Sequence, residues 1–328
     1  MRMKLTGPVL GVAVLGGLPL LAQMAGLRSA PLAQMPAQVD SNSPALWLDG
    51  EYVLYNSARK PVVSRGAGPL GRFQSRDITV DRDEHFPMWI EAAWLDEDGA
   101  IYAWYHHEPE GLCSGSDLTA PQIGALVSYD GGELFYDLGL ILTSADPMDC
   151  TAKNGFFGSG HGDFSVILDR QGEYFYFLFG NYGGPTHEQG IAIARMAFAD
   201  RINPAGAVWK YFNGAWWEPG LGGRVSPIFP AGVSWKEEDT DAFWGPSVHW
   251  NTHLESYVVL MSRSCCRSNW PQEGVYITFN PDLGNPYGWT APERILERPP
   301  AYYPQVLGMK AGETDTLAGE TARLYLQG

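Results

Sequence analysis

Beyond residue 40 the apolar positions of this chain alternate with polar ones or cluster in brief runs. Gly, Asp, Asn and Pro cut between them. That pattern reads as short strands joined by turns, and the 3.6-residue period of an amphipathic helix is nearly missing. One unit recurs: a polar or Pro-containing lead-in, an apolar strand, a turn, and a second strand rich in Tyr, Phe or Trp. It stands at DSNSPALWLDGEYVLYNS (40–57), MWIEAAWLDEDGAIYAWYHH (88–107), GDFSVILDRQGEYFYFLFGN (162–181) and WGPSVHWNTHLESYVVLMSR (244–263). YYPQVLG (302–308) with ARLYLQG (322–328) makes a fifth. Partner hairpins lie between, as in IGALVSYDGGELFYDLGLIL (123–142), GIAIARMAFADR (190–201) and EGVYITFNPDL (273–283). Five such units predict an all-β, five-bladed β-propeller over residues 40–328. A β-sandwich with long loops is the alternative, and it leaves the fivefold lead-in unexplained.

In a propeller the first strand of each blade lines the central channel, so the lead-ins meet at one mouth. Asp40, Glu91, Asp163, the stretch Trp244–His249 and Tyr303–Gln305 are thereby expected together. Glu91 lies between Ile90 and Ala92 in an apolar strand. An unpaired carboxylate is costly to bury, so Glu91 is expected either to have a partner or to face the channel. Asp163 follows a Gly- and His-containing turn. It either caps that turn through backbone N–H groups or is held in a cleft for chemistry.

The N-terminus changes the picture of where the chain works. Met1–Lys4 is basic, and PVLGVAVLGGLPLLA follows as an apolar run broken by Gly and Pro. Residues 1–30 read as a signal peptide or N-terminal anchor and 31–39 as a linker, which predicts a secreted or periplasmic protein. The net charge is −15. Residues 1–30 hold Arg2, Lys4 and Arg28 and no acid, so the remainder is more acidic still. Such a surface argues against nucleic acid and against a membrane contact beyond the N-terminal segment. A neutral or cationic ligand fits it; a carbohydrate ligand or substrate and a monomer are expected. The 12 Trp and 16 Tyr suit strands in any case and supply sugar-stacking faces as well. Of the four cysteines, Cys113 and Cys150 are expected to bridge as a loop staple. Cys265 and Cys266 either bridge each other or pair elsewhere.

The acids ahead of the first strands resemble the five-bladed glycoside hydrolases of family 43. The resemblance covers residues 40–328 as a pattern rather than through any one strong motif. It implies a general base at Asp40 (DSNSP) and, at Asp163 (GDFS), an Asp that orients the general acid and tunes its pKa. The fourth blade lacks the expected Glu at its lead-in, which reads Asp241-Ala-Phe-Trp244-Gly-Pro-Ser-Val-His249. Glu91, in the second blade, is the nearest substitute as general acid. The implied activity is hydrolysis of a glycosidic bond by two carboxyl groups. The alternative is a non-catalytic glycan-binding propeller that has lost the acid. Ser128-Tyr-Asp130-Gly-Gly132-Glu-Leu-Phe135 resembles the Asp-box hairpin of sialidases and other propellers, a structural turn.

Residues expected to contact the sugar are Trp89 and Trp244 as stacking faces, with His107, His161, His249, Tyr303 and Gln305 as polar partners. In the run His106-His107-Glu108, alternation sends one histidine to each face, and His107 is assigned to the pocket. No cofactor is expected. A channel Ca²⁺ stays open, although no D-x-D-x-D-G loop supports one. Nothing in the spacing of the histidines or cysteines marks a zinc site. G-x-S-x-G and P-loop motifs are missing, which sets aside serine-hydrolase and nucleotide chemistry.

Overall fold

The computed structural model describes residues 25–268 and 270–327. The predicted signal or anchor falls mostly on residues 1–24, outside the described residues. No helix among the described residues is long and apolar enough to cross a membrane. Two 3₁₀ turns, Thr186–Glu188 and Phe198–Asp200, are the only helical elements described.

The strands form five sheets arranged as a β-propeller. The first blade runs Ala45–Leu48, Glu51–Ser57, Pro61–Gly66 and Phe73–Asp77 in sequence order. The second runs Met88–Leu95, Ile101–His107, Gln122–Ser128 and Leu134–Leu142, with Thr79–Val80 parallel at its outer edge. In the third, His161–Leu168, Tyr174–Asn181 and Gly190–Ala197 are extended by an outer hairpin, Val208–Phe212 and Ala215–Pro219. The fourth holds Ala242–Asn251, Ser256–Ser264, Gln272–Asn280 and Glu293–Glu297. The fifth is reduced to Tyr302–Gly308 paired with Ala322–Gln327.

Period-two alternation builds the core, because each blade is apolar on both faces and packs on two neighbours. Leu46, Val53 and Val63 of the first blade meet Ile90, Ile101 and Ala103 of the second. Trp104 and Ile123 meet Phe164, Phe177 and Ala192 of the third. Leu178 and Ile191, on the third blade's other face, meet Val248, Val259 and Met261 of the fourth. Val258, Leu260 and Val275 then meet Val306, Leu324 and Leu326 of the fifth. Leu307 and Tyr325 close the circle on Ala45, Tyr52 and Leu54.

Side chains complete that last joint. Gln305 Nε2 donates to the Ser43 carbonyl at 2.8 Å, and its Oε1 accepts from the Ser43 N–H at 2.9 Å and from Gln327 Nε2 at 2.6 Å. The Ala45 N–H donates to Asp315 Oδ1 at 2.9 Å. Asp315 is buried, and burial pushes its carboxyl up to about 7.

The Asp-box hairpin forms as its sequence implies. Asp130 Oδ1 accepts from Ser128 Oγ at 2.8 Å and from the N–H groups of Glu133 and Leu134, each at 3.1 Å. Gly131 and Gly132 take φ of 86° and 90°, which a side chain would resist. Cys113 and Cys150 are bridged, tying the loop before Gln122 to the connection after Leu142. Cys265 and Cys266 bridge each other, which settles the alternative left by the sequence.

Candidate active site

Four inner strands lose register at their lead-in ends. The pairing skips Glu91 between Ile90 and Ala92, and Asp163 between Gly162 and Phe164. It shifts again between Trp244 and Ser247 and between Tyr302 and Gln305. A bulge adds an unpaired residue and re-aims its side chain. Both carboxylates at the channel are such extra residues. Asp163 adopts φ 43° and Tyr303 φ 45°, left-handed values that cost energy and cluster where geometry serves a site.

Glu91 and Asp163 meet around a histidine. His106 Nδ1 lies 3.0 Å from Glu91 Oε1 and 4.0 Å from Asp163 Oδ1. Its Nε2 lies 3.4 Å from Glu108 Oε1, longer than a good hydrogen bond but within ion-pair reach. Glu91 Oε2 accepts the Phe164 N–H at 2.8 Å. Asp163 accepts from the hydroxyls of Tyr182 and Tyr303, the latter at 3.1 Å. Gly162 makes this approach possible, since a Cβ there would sit 2.7 Å from His106 Cε1.

The cluster is rich in acid and retains protons. Burial alone would strip the His106 ring, but the neighbouring carboxylates of Glu108 and Glu91 outweigh it and hold its pKa well above the ordinary histidine value. Burial pushes Glu91 up, against the pull of His106 and the Phe164 N–H. Asp163 rises to about 6, mainly through burial, with His106 pulling it down and Glu91 pushing it up. Asp40 also rises to about 6 through the protein mass around it, then through Asp163 and Glu108, although the residue is exposed.

Ligand atoms of Glu91, His106 and Asp163 all lie within 4.8 Å of one another, a spacing that a cation could use. Glu91 already accepts the Phe164 N–H and Asp163 two tyrosine hydroxyls, while the buried His106 Nε2 has no hydrogen-bond partner.

An aromatic wall rises beside Asp163. Phe157 stacks on Tyr182 with ring centroids 4.2 Å apart, and Trp270 packs on Phe156, Trp235 and Trp244. Trp244 also meets Tyr302 and Tyr303. Phe156 and Tyr302 are the exposed members, at 49% and 38%.

The remaining residues expected at the site divide. Tyr303 is partly open and joins the cluster. Trp89 packs on His106 at 5.6 Å, and Trp244 lies in the wall, but both are buried. His107 turns to the other side of its strand, 3.2 Å from the Pro87 carbonyl and against the His85 ring, so it does not reach the pocket. His161 accepts from the buried Lys210 Nζ at 2.9 Å and is kept neutral by burial and by that cation. His249 is buried further along the fourth inner strand, its pKa lowered to about 4 by burial. Gln305 is spent on the joint between the fifth and first blades. His106, Glu108 and Tyr182 join this cluster without having been expected there. The run His106-His107-Glu108 carried the signal, but alternation does not say which histidine faces inward.

No family model and no curated protein matches the sequence. Solved structures do match. The endo-arabinase from Bacteroides thetaiotaomicron superimposes with a TM-score of 0.54 at 14% identity, covering 89% of this chain and 94% of that one. The alpha-L-arabinofuranosidase from Lactobacillus brevis gives 0.54 at 13%, covering 87% and 82%. The catalytic domain of the Coprinopsis cinerea GH62 alpha-L-arabinofuranosidase gives 0.51 at 10%, covering 89% and 84%. At these identities the likeness establishes the fold, the propeller of these glycoside hydrolases.

Proposed function

We propose that this protein is a secreted glycoside hydrolase that cleaves a glycosidic bond at the channel mouth. The observation that carries the reading is the meeting of Glu91, Glu108 and Asp163 around His106, beside an aromatic wall with exposed rings. General acid–base cleavage needs one protonated and one ionised carboxyl, and environments that differ supply both. Asp40, open to solvent, is the base that takes a proton from water. Asp163 orients the cluster and tunes its charge. Glu91, with its side chain 1% exposed, acts through His106 rather than on the sugar. The disulfides Cys113–Cys150 and Cys265–Cys266 suit an oxidising compartment, in keeping with the N-terminal segment.

The burial of Glu91 and Asp163 favours a second reading, a propeller that binds glycans without cleaving them. A screen of aryl glycosides and of plant and microbial polysaccharides separates the two. Turnover that is lost in Asp40→Asn supports hydrolysis. Binding without product across the panel supports the second reading.

A further inference from the structure

We infer that Glu108 is the carboxyl that hands the proton to the departing sugar oxygen, fed by His106 beneath it. The inference rests on the glycosidase reading above and supplies the acid that the fourth blade lacks. A group that protonates substrate must touch it. The Glu91 and Asp163 side chains are 1% and 4% exposed, and backbone and tyrosine donors fix both. The His106 side chain is 4% exposed, and Glu108 is 28% exposed. Among these acids, Asp40 and Glu108 are therefore the ones that open to solvent.

Glu108 is also set toward the right place. Its Oε1 lies 3.4 Å from His106 Nε2, on the ring whose Nδ1 is 4.0 Å from Asp163 Oδ1. It directly follows the second strand of its blade, while Glu91 lies on the first. The His106 ring spans the two, with Nδ1 toward Glu91 and Nε2 toward Glu108. A buried imidazolium is thus a store of one proton, and Glu108 is its outlet.

The His106 Nε2–H proton passes to Glu108, and the Glu108 O–H proton passes to the glycosidic oxygen as the bond from that oxygen to the anomeric carbon breaks. Water attacks the same carbon and gives its proton to the Asp40 carboxylate. Asp40 then releases that proton to solvent, and His106 takes one back. No oxidant, reductant or further reactant is needed.

The test uses the full-length protein on whichever glycoside of the panel the wild type cleaves. Two leaving groups are compared: the 2,4-dinitrophenyl glycoside, which departs without protonation, and an oligosaccharide of the same sugar, which does not. Glu108→Gln is expected to lose about 10²–10⁴-fold in kcat/KM on the oligosaccharide and less than about 10-fold on the dinitrophenyl glycoside. Retained activity on the activated substrate also shows that the variant is folded. Glu91→Gln, a positioning change, is expected to lower both substrates by similar factors. Equal losses on both substrates in Glu108→Gln and in Glu108→Asp, or no loss on the oligosaccharide, overturn the assignment of Glu108 and leave the glycosidase reading standing. No wild-type turnover on any substrate of the panel overturns that reading first, and this one with it.

Discussion

Replacing Asp163 by Asn is expected to make the protein more stable at pH 7 while impairing the site. Asp163 is 3% exposed, and its pKa rises from the ordinary 3.8 to about 6, first through burial and then through Glu91, with His106 opposing. The folded state thus holds this proton more tightly than the unfolded chain does. Its stabilising contribution is complete below the unfolded value and is lost as pH rises through about 6. At 1.36 kcal/mol for each decade, ionised Asp163 costs the fold about 3 kcal/mol at neutral pH. Asn removes that cost and keeps the shape. It tolerates the left-handed backbone, and its amide can still bond to the two tyrosine hydroxyls. For a domain of this size the unfolding entropy is about 0.6 kcal/mol/K, so the gain is worth about 5 °C in Tm. Melting curves of both proteins between pH 3.5 and pH 8 are the assay. The curves should converge below about pH 4 and separate above pH 6, with the variant higher. A variant that melts lower at pH 7, or an offset that does not change with pH, refutes the reasoning.

Three further outcomes follow from the packing. Replacing Cys113 and Cys150 by Ser opens a loop of sequence separation 37 and should cost about 4 kcal/mol, read as a lower denaturant midpoint under non-reducing conditions. Gln305→Ala orphans the Ser43 N–H and the Gln327 amide in the joint between blades, and should cost about 3 kcal/mol in equilibrium unfolding. Gly162→Ala drives a Cβ to within 2.7 Å of His106 Cε1, so the ring must shift. Its imidazole resonance, followed by NMR titration, should move toward the ordinary histidine range, and a resonance that stays unchanged counts against the packing described.

The propeller was legible because blade repetition is written in local chemistry: a lead-in, an apolar strand, a Gly or Asp turn, an aromatic strand. That Asp163 and Glu91 would need partners was legible for a related reason, since an acid inside an apolar strand is costly to leave unpaired. His107 was misplaced because alternation sends His106 and His107 to opposite faces of Ile101–His107 without saying which face points inward, and only the packing of that strand against its neighbours fixes it. Glu108 and Tyr182 lie beyond the ends of their strands, where alternation no longer applies. Gln305 sat at the expected level of the channel, yet the need to join two blades took its hydrogen bonds. That demand arises from the short fifth blade and is invisible in the neighbouring residues.

The joint between the fifth and first blades also sets an order of events. Ser43 bonds to Gln327 across 284 positions of sequence, and Tyr303 reaches Asp163 across 140. Contacts so distant in sequence form late, because the loop entropy must be met before they return anything. Four blades can stack while the mouth still lacks its last tyrosine, and a chain stalled at that stage would hold its acids without the hydroxyls that orient them. Activity in a refolding experiment should therefore lag behind the recovery of strand signal, and the lag measures how long the ring takes to shut.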